Sequence, residues 1–269
     1  MQIDAEVYFW KNEKNFRNPL IRENKILQQQ YLPEQIAQSL HRNGIDVCLG
    51  VAGDSAEVET RFLAELAMTH HEIAGVIGWL DLLDASASEK ILEFSEYAPI
   101  RAYRLSVAKP PFPLPATMQT LKTFDYTLDL INISMVHPNV LSRWLQENPE
   151  QQFVIADGAG PDAKKTPAKE WELIVRTLAK NPNLSCKLSG LFTTGNRKSW
   201  KPADFYPFLE ILFDSFGTKR ILFSSDWPLM LVSGMYVQWK SLVEKFMEKF
   251  TPDDRGLVFG ANAIRVYRI

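Results

Sequence analysis

Eight short apolar runs that alternate with longer amphipathic segments predict an α/β protein built as a single (β/α)8 barrel of the TIM type. Two further observations support this prediction: the chain has 269 residues, and no glycine-rich turn follows its first apolar run. Parallel strands need a crossover between neighbours, and a helix provides it. Eight such units fit one barrel domain that spans residues 1–269.

The predicted strands are bounded by turn residues and have the length and apolar character of barrel strands. They span residues 3–10, 46–52, 73–82, 100–107, 127–134, 153–157, 184–190 and 220–226. An open doubly wound sheet is the alternative, and it would need a phosphate-binding glycine-rich turn after its first strand. The segment KNEKNFRNPLIRENK after Trp10 contains no glycine, which favours the closed barrel.

Helices are predicted between the strands from their period and their end signals. PEQIAQSLHRNG has Pro33 at its start and Gly44 as a stop signal. SAEVETRFLAELAMTHH has Ser55 as its predicted N-cap, and NVLSRWLQENP ends at Pro149. The polar segment 11–30 and the proline-rich segment 107–118 are predicted to be loops over the mouth of the barrel.

Composition excludes several classes of partner. The 30 basic and 32 acidic residues give a net charge of -2 without a long run of one sign, so we expect no nucleic-acid partner. The two cysteines, Cys48 and Cys186, suggest neither a disulfide framework nor a thiolate metal site, which fits a reducing cytoplasm. The N-terminal stretch carries Asp4 and Glu6, and no run approaches eighteen apolar residues, so we expect neither a signal peptide nor a membrane span.

Reactive groups of a barrel lie at the carboxyl ends of its strands, where this chain places several charged or polar side chains. The candidates are Glu6 and Tyr8 on strand one, Arg101 and Arg104 on strand four, Asp157 on strand six, Lys187 on strand seven and Asp226 on strand eight.

Asp226 is the strongest candidate, because a carboxylate directly after an apolar strand is costly to bury without a partner or a task. The alternative is that it only caps the following turn. Lys187 is predicted to point inward as an ion-pair partner, the alternative being an edge residue with a solvated head group. His137 follows strand five and could reach a pocket, although a lone loop histidine is more often structural.

Several stretches together resemble one known family. They are IDA...FW at the start, RFLAELAMTHHEIAGVIGWLDL, CKLSGL, ILFSSDWPLM and the terminal FGANAIRVYRI. In this order and over nearly the whole chain they are similar to the amidohydrolase-2 family of barrel hydrolases, especially to its L-fuconolactonase and L-rhamnonolactonase type. The resemblance implies a distorted (β/α)8 barrel and the attack of water on an ester or lactone carbonyl, with the strand-eight carboxylate activating the water.

The chain departs from the family at the metal-binding histidines. Where members have His-x-His on strand one, this chain has Glu6 and Tyr8; Ala102 and Asp157 replace two further histidines. Asp226, with Trp227 behind it, and Lys187 match the family pattern. Zinc prefers imidazole ligands in open sites of this kind, so the resemblance does not carry a zinc site over to this chain.

Two interpretations of the altered site remain open. A harder divalent cation could bind the oxygen ligands Glu6, Asp157 and Asp226, or Lys187 could neutralise these carboxylates without any metal or other cofactor, which we favour. In the second case Asp226 is the general base, and Tyr8 or Lys187 is the donor to the oxyanion.

The predicted ligand is a small molecule, a sugar lactone or a carboxylate. The catalytic candidates are thus Asp226 and Lys187, and the predicted substrate-binding residues are Glu6, Tyr8, Arg101, Arg104, Asp157, His137 and Trp227. Of these, Arg101 or Arg104 would hold a carboxylate or hydroxyl group of the substrate. The alternative function is a barrel that has lost catalysis and acts as a small-molecule binding protein.

Overall fold

The computed structural model describes residues 1–11, 18–53, 56–97, 99–108, 110, 112–113, 115–161, 167–195 and 199–269. Within these ranges, eight parallel strands form one sheet in which each strand pairs with the next along the chain. The strands are β1 Ile3–Val7, β2 Val47–Val51, β3 Ile73–Trp79, β4 Ile100–Ser106, β5 Thr127–Ile131, β6 Phe153–Ile155, β7 Leu184–Lys187 and β8 Ile221–Leu222. The predicted barrel architecture is confirmed.

The barrel closes between β1 and the chain that follows β8. This seam has no regular ladder; individual backbone hydrogen bonds hold it together. The amide of Ala5 donates to the carbonyl of Phe223 at 3.0 Å, and the amide of Tyr8 donates to that of Trp227 at 2.8 Å. The first and last strands therefore meet where polar side chains of both are concentrated.

Helices follow the strands and cover the outside of the barrel, as expected for right-handed parallel crossovers. They are α1 Pro19–Glu23, α2 Pro33–Arg42, α3 Glu57–Thr69, α4 Ala87–Phe94, α5 Pro115–Thr123, α6 Pro138–Glu147, α7 Lys169–Leu178, α8 Leu191–Thr194, α9 Pro202–Phe216, α10 Tyr236–Phe246, α11 Pro252–Gly256 and α12 Asn262–Tyr267. The first residue is proline in six of the twelve, which suits a position whose amide has no partner within the helix. No helix among the described residues is long and apolar enough to cross a membrane.

Two details of the predicted elements need correction. The segment 11–30 contains α1 and a 3-10 turn at Lys25–Leu27, and α5 begins inside the predicted loop 107–118, at Pro115. Proline at the start of a helix explains the second case. Residues 12–17 of the first segment lie outside the described residues, as does the predicted N-cap Ser55; α3 begins at Glu57 with Ala56 before it.

The interior of the barrel is filled by small and branched side chains from alternate strand positions, as a packed core requires. This inner cluster contains Ile3, Ala5, Leu49, Val51, Ile77, Ala102, Val154 and Leu222. The C-terminal helix α12 adds Ala263, Val266 and Tyr267 to the same cluster. The end of the chain thus contributes to the packing inside the barrel, beneath its polar centre.

Candidate active site

Strand β1 is irregular near Glu6, which makes the most contacts in the site. The pairing register of β1 with β2 shifts between Asp4 and Val7, the mark of a bulge that re-aims side chains. Ala5 belongs to the inner cluster, and its neighbour Glu6 also points inward, where it contacts Lys187. Without the irregularity, two successive side chains would face opposite sides of the sheet.

Glu6 is fully buried and accepts contacts on both carboxylate oxygens. Its Oε1 accepts hydrogen bonds from the hydroxyl of Tyr8 at 2.5 Å and from Nη2 of Arg104 at 2.8 Å. Its Oε2 accepts one from the hydroxyl of Ser189 at 2.8 Å and lies 3.3 Å from Nζ of Lys187. Two cations and two hydroxyls therefore surround one carboxylate.

Lys187 lies beneath Glu6 inside the barrel and is fully buried. Its Nζ donates to Oδ2 of Asp129 at 2.5 Å, and the hydroxyl of Tyr267 donates to Oδ1 of Asp129 at 2.7 Å. The inward orientation predicted for Lys187 agrees with these contacts. Asp129 and Tyr267 were not predicted, because only barrel closure brings β5 and the C-terminal helix next to β7.

Asp226 lies in the segment that follows the last strand, β8, and has a left-handed conformation with φ of 60°. Its Oδ2 accepts hydrogen bonds from the amide of Gly190 and, at 3.2 Å, from the hydroxyl of Thr193. Its Oδ1 is buried and has no hydrogen-bond partner among the described residues. A buried acceptor without a partner is costly and marks a position where a ligand or water is expected.

Asp157 likewise follows its strand, β6, in a left-handed conformation with φ of 55°. Its amide donates a hydrogen bond to the hydroxyl oxygen of Ser189 at 3.0 Å. The backbone of Asp157 packs against Gly190, where an added Cβ would come within 2.9 Å of it. Gly190 also has φ of 81°, so both its conformation and its close packing require glycine.

Burial and neighbouring charges shift the pKa values of the three carboxyl groups in the cluster in opposite directions. Burial alone would raise the pKa of Glu6, but the charges of Lys187 and Arg104 outweigh it and hold that pKa below its ordinary value. Burial, followed by the negative charge of Glu6, raises the pKa of Asp157 to about 6. Burial and the charges of Glu6 and Asp157 raise the pKa of Asp226 well above that of an ordinary carboxyl group.

Oxygen atoms of Glu6, Asp157 and Asp226 all lie within 4.8 Å of one another, which is compact enough for a bound cation. The environment of Glu6 does not fit a bound cation, however. Both of its oxygens already face a cation and a hydroxyl donor, and a metal would have to displace them and sit beside the charges of Arg104 and Lys187. The imidazole ligands that zinc prefers are missing from this cluster.

A cavity of about 730 Å³ opens above the cluster. Tyr8, Arg104 and Asp157 lie on its floor side, and Asp226 is buried next to them with 3% of its surface exposed. Its walls carry mainly apolar and aromatic side chains with a few polar ones: Phe9, Trp10, Lys11, Asn18, Ile21, Gly53, Ala56, Val58, Glu59, Phe62, Ile131, Asn132 and Leu229. Asn18 and Ile21 come from the segment 11–30 that was predicted to cover the mouth.

Three of the predicted site residues lie elsewhere. Arg101 lies near the start of β4, where its side chain packs against Gly75 close to Leu49 and the chain end at Ile269, and it is not among the residues that line the cavity. His137 caps α6, with Nδ1 accepting a hydrogen bond from the amide of Asn139 at 3.3 Å.

The third is Trp227, which packs in the core with its ring 5.1 Å from Tyr31 and 6.2 Å from Phe9. The pairing register of β3 with β4 is irregular between Ile100 and Ala102, and Arg101 lies nearer the start of the strand than Arg104, which reaches the cavity.

A buried cluster of carboxylates and cations at the carboxyl ends of barrel strands, beside a cavity, has the place and the character of a barrel enzyme's active site. The model of the Amidohydrolase family matches residues 3–269 of this chain. The protein therefore belongs to the amidohydrolase-2 family, as the sequence motifs indicated.

Proteins named as lactonases are similar to this chain over its whole length. The L-fucono-1,5-lactonase of Burkholderia multivorans is 27% identical over 292 residues, covering 100% of this chain and 96% of the relative. The L-fucono-1,5-lactonase of Burkholderia ambifaria is 26% identical, covering 100% of this chain and 96% of the relative. A crystal structure of an amidohydrolase from Burkholderia multivorans with bound zinc superimposes with a TM-score of 0.87 at 25% identity, covering 100% of this chain and 99% of the other.

Proposed function

We propose that this protein is a lactone hydrolase that opens the cyclic ester of a sugar acid. One observation carries the proposal: the cluster holds a buried acceptor and a buried donor that both lack partners among the described residues. The acceptor is Oδ1 of Asp226 and the donor is Nε of Arg104. Hydrolysis of an ester needs these two functions, a base for water and a donor for the developing oxyanion.

In the proposed reaction, Oδ1 of Asp226 takes a proton from a water molecule as the water oxygen bonds to the lactone carbonyl carbon. The carbonyl oxygen becomes an oxyanion. When it collapses, the bond between the carbonyl carbon and the ring oxygen breaks, and Asp226 returns the proton to the ring oxygen. The product is the open hydroxy acid, and the carboxylate of Asp226 is regenerated.

Arg104 is the proposed partner of the oxyanion. Its Nη1 donates to the carbonyl of Ala52 at 3.0 Å and its Nη2 to Glu6 and Tyr8, so three of its five N–H groups hold the guanidinium in place, while Nε has no partner among the described residues. Rigid donors aimed at developing charge need no reorganisation during the reaction. Lys187, which we expected to be an alternative donor, is enclosed by Glu6 and Asp129, and its proposed role is to keep Glu6 ionised.

We further propose that the reaction proceeds without a metal. The two cations beside Glu6 take up the negative charge that a metal would otherwise neutralise, which is why the altered family positions are consistent with a working site. The substrate class is supported by the L-fucono-1,5-lactonase relatives. A cytoplasmic location is part of the proposal, because Cys48 and Cys186 are both buried free thiols.

Turnover of a panel of five- and six-membered aldonolactones, followed with a pH indicator, tests this function. Asp226→Asn removes the base while keeping the shape of the side chain, and we expect kcat to fall about 10²- to 10⁴-fold. The matched control is Asp214→Asn, an exposed position on α9, which should leave kcat unchanged. Thermal shifts by lactones without any turnover by the unaltered protein would contradict the proposal and favour a binding protein.

A further inference from the structure

The seam between β1 and the end of β8 carries both Glu6 and Asp226, yet it has no regular strand pairing. The amide of Asp226 donates to the carbonyl of Glu6 at 3.2 Å, and the flanking contacts are single hydrogen bonds. The bulge in β1 also leaves the amide of Glu6 outside the ladder. Buried amides need a partner, so some other group must accept from this irregular backbone.

The carboxylate of Asp4 is that group. Its Oδ1 accepts from the amide of Glu6 at 3.2 Å and from the amide of Ser225 at 3.0 Å. Its Oδ2 accepts from the hydroxyl of Tyr236 on α10 at 2.9 Å. One side-chain oxygen therefore joins the backbone of Glu6 to that of Ser225, the residue directly before Asp226.

We propose that Asp4 is a positioning residue that fixes Glu6 and Asp226 relative to each other across the seam of the barrel. Asp4 is fully buried, and a carboxylate is costly to bury unless its hydrogen bonds are needed there. It acts through the backbone and does not line the described cavity. The inference rests on the proposed function, since its importance lies in the geometry of the proposed base.

The kinetic test compares Asp4→Ala, Asp4→Asn and Tyr236→Phe. Alanine removes all three acceptor contacts, and we expect kcat to fall about 10²-fold, because small misplacements of catalytic groups have effects of this size. Asparagine keeps one acceptor oxygen and should recover part of the loss. KM should stay within about threefold of the original value, because the substrate-binding surface is untouched.

Thr127→Val is the matched control for a purely structural effect. The hydroxyl of Thr127 is fully buried and donates to the carbonyl of Val266 at 2.7 Å, at the start of β5. Its loss should lower the unfolding temperature without changing kcat. If Asp4→Ala lowers the unfolding temperature but leaves kcat of the folded protein unchanged, the positioning role is wrong.

Amide hydrogen exchange gives a second readout that needs no substrate. In Asp4→Ala, or in Asp4→Asn if the alanine variant fails to fold, exchange of the peptides covering residues 3–8 and 223–228 should be about tenfold faster than in the Thr127→Val control. Unchanged exchange at the seam would overturn the inference. Faster exchange at the seam, together with no lactone turnover by the unaltered protein, would support the positioning role while contradicting the proposed function.

Discussion

Glu6 stands at a position where the family resemblance implies a histidine, and its surroundings explain how a carboxylate is tolerated there. Arg104 and Lys187 lie 2.8 Å and 3.3 Å from its two oxygens, so the buried negative charge is matched by positive charge. Breaking such an arrangement by removing one partner is costly because the remaining charge stays buried. The carboxylate of Glu6 therefore depends on both of these cations.

Lys187→Met should destabilise the protein, because Glu6 and Asp129 would then share a buried site without their common cation. We expect the free energy of unfolding to fall by about 3–5 kcal/mol, measured by urea denaturation. Lys245→Met is the control, since Lys245 forms an exposed pair with Glu248 and its loss should have little effect. A Lys187→Met protein as stable as the original would show that the cation is dispensable.

The pH dependence of the reaction should follow the carboxyl pair Asp157 and Asp226. The base must be deprotonated, so kcat/KM is low when the pair carries an extra proton and rises as the pH increases through the raised pKa of the pair. The rise should occur at about pH 6 or above, higher than for an ordinary carboxyl group. A rise centred near pH 4, the value of an unperturbed carboxyl group, would contradict this assignment.

The variant Asp157→Asn distinguishes the role of Asp157 from that of Asp226. The negative charge of Asp157 is one cause of the raised pKa of Asp226, so its removal should move the rise in kcat/KM to lower pH while activity remains. If Asp157→Asn abolishes turnover as completely as Asp226→Asn does, Asp157 is the base and the roles must be exchanged.

At the scale of elements, the strand ends hold the site together through residues in left-handed conformations. Asn132, Asp157 and Asp226 all have φ between 55° and 60°, which turns the chain out of the strand and exposes the backbone to neighbouring loops. Such conformations are unfavourable for residues other than glycine and persist where the surroundings impose them. Gly190 is part of the same arrangement, since it donates to Asp226.

Gly190→Ala should lower both stability and kcat, because its φ is 81° and its new Cβ would meet the backbone of Asp157 at 2.9 Å. Gly217→Ala is a matched control: φ is 64°, but nothing lies within 4 Å of the added Cβ. We expect the control to lose about 1–2 kcal/mol of stability with unchanged kcat. Equal kcat in both variants would show that the Gly190 contact does not support the base.

The same strand ends show where sequence reasoning succeeds and fails. The eight strands and their order could be predicted, because alternating apolar runs report burial directly. Their carboxyl ends were predicted too long: the run 220–226 is a strand only at Ile221–Leu222. Apolar character continues past the strand, whereas the change in φ that ends it leaves no compositional signal.

The members of the charged cluster were predictable only in part. Glu6, Asp157, Lys187 and Asp226 stand at strand ends and could be chosen on that basis, and they do lie together. Which way Arg101 and Arg104 point depends on the register of β4, which the sequence does not reveal.

Asp4 and Asp129 were missed for a different reason. Both residues bind partners that are more than a hundred residues away in the chain. Asp4 contacts Ser225 and Tyr236, and Asp129 contacts Tyr267. A buried acidic residue inside an apolar run was the one available signal.

At the scale of the whole molecule, the barrel brings residues from β1, β4 and β7, and from the segments after β6 and β8, to one polar centre beneath the cavity described above. The C-terminal helix completes this centre from below, through the contact of Tyr267 with Asp129. The chain covers its L-fucono-1,5-lactonase relatives almost completely, so the comparison extends over the entire barrel. In the proposed reaction of this chain, the internal cations Arg104 and Lys187 take the place of a metal.

Turnover of the best lactone by protein depleted of metal with a chelator tests that claim most directly, with metal content measured by elemental analysis of the same sample. We expect kcat to be the same before and after depletion, with metal well below one equivalent per chain, and to be lost in Asp226→Asn. A stoichiometric metal whose removal abolishes turnover, and whose return restores it, would contradict the account.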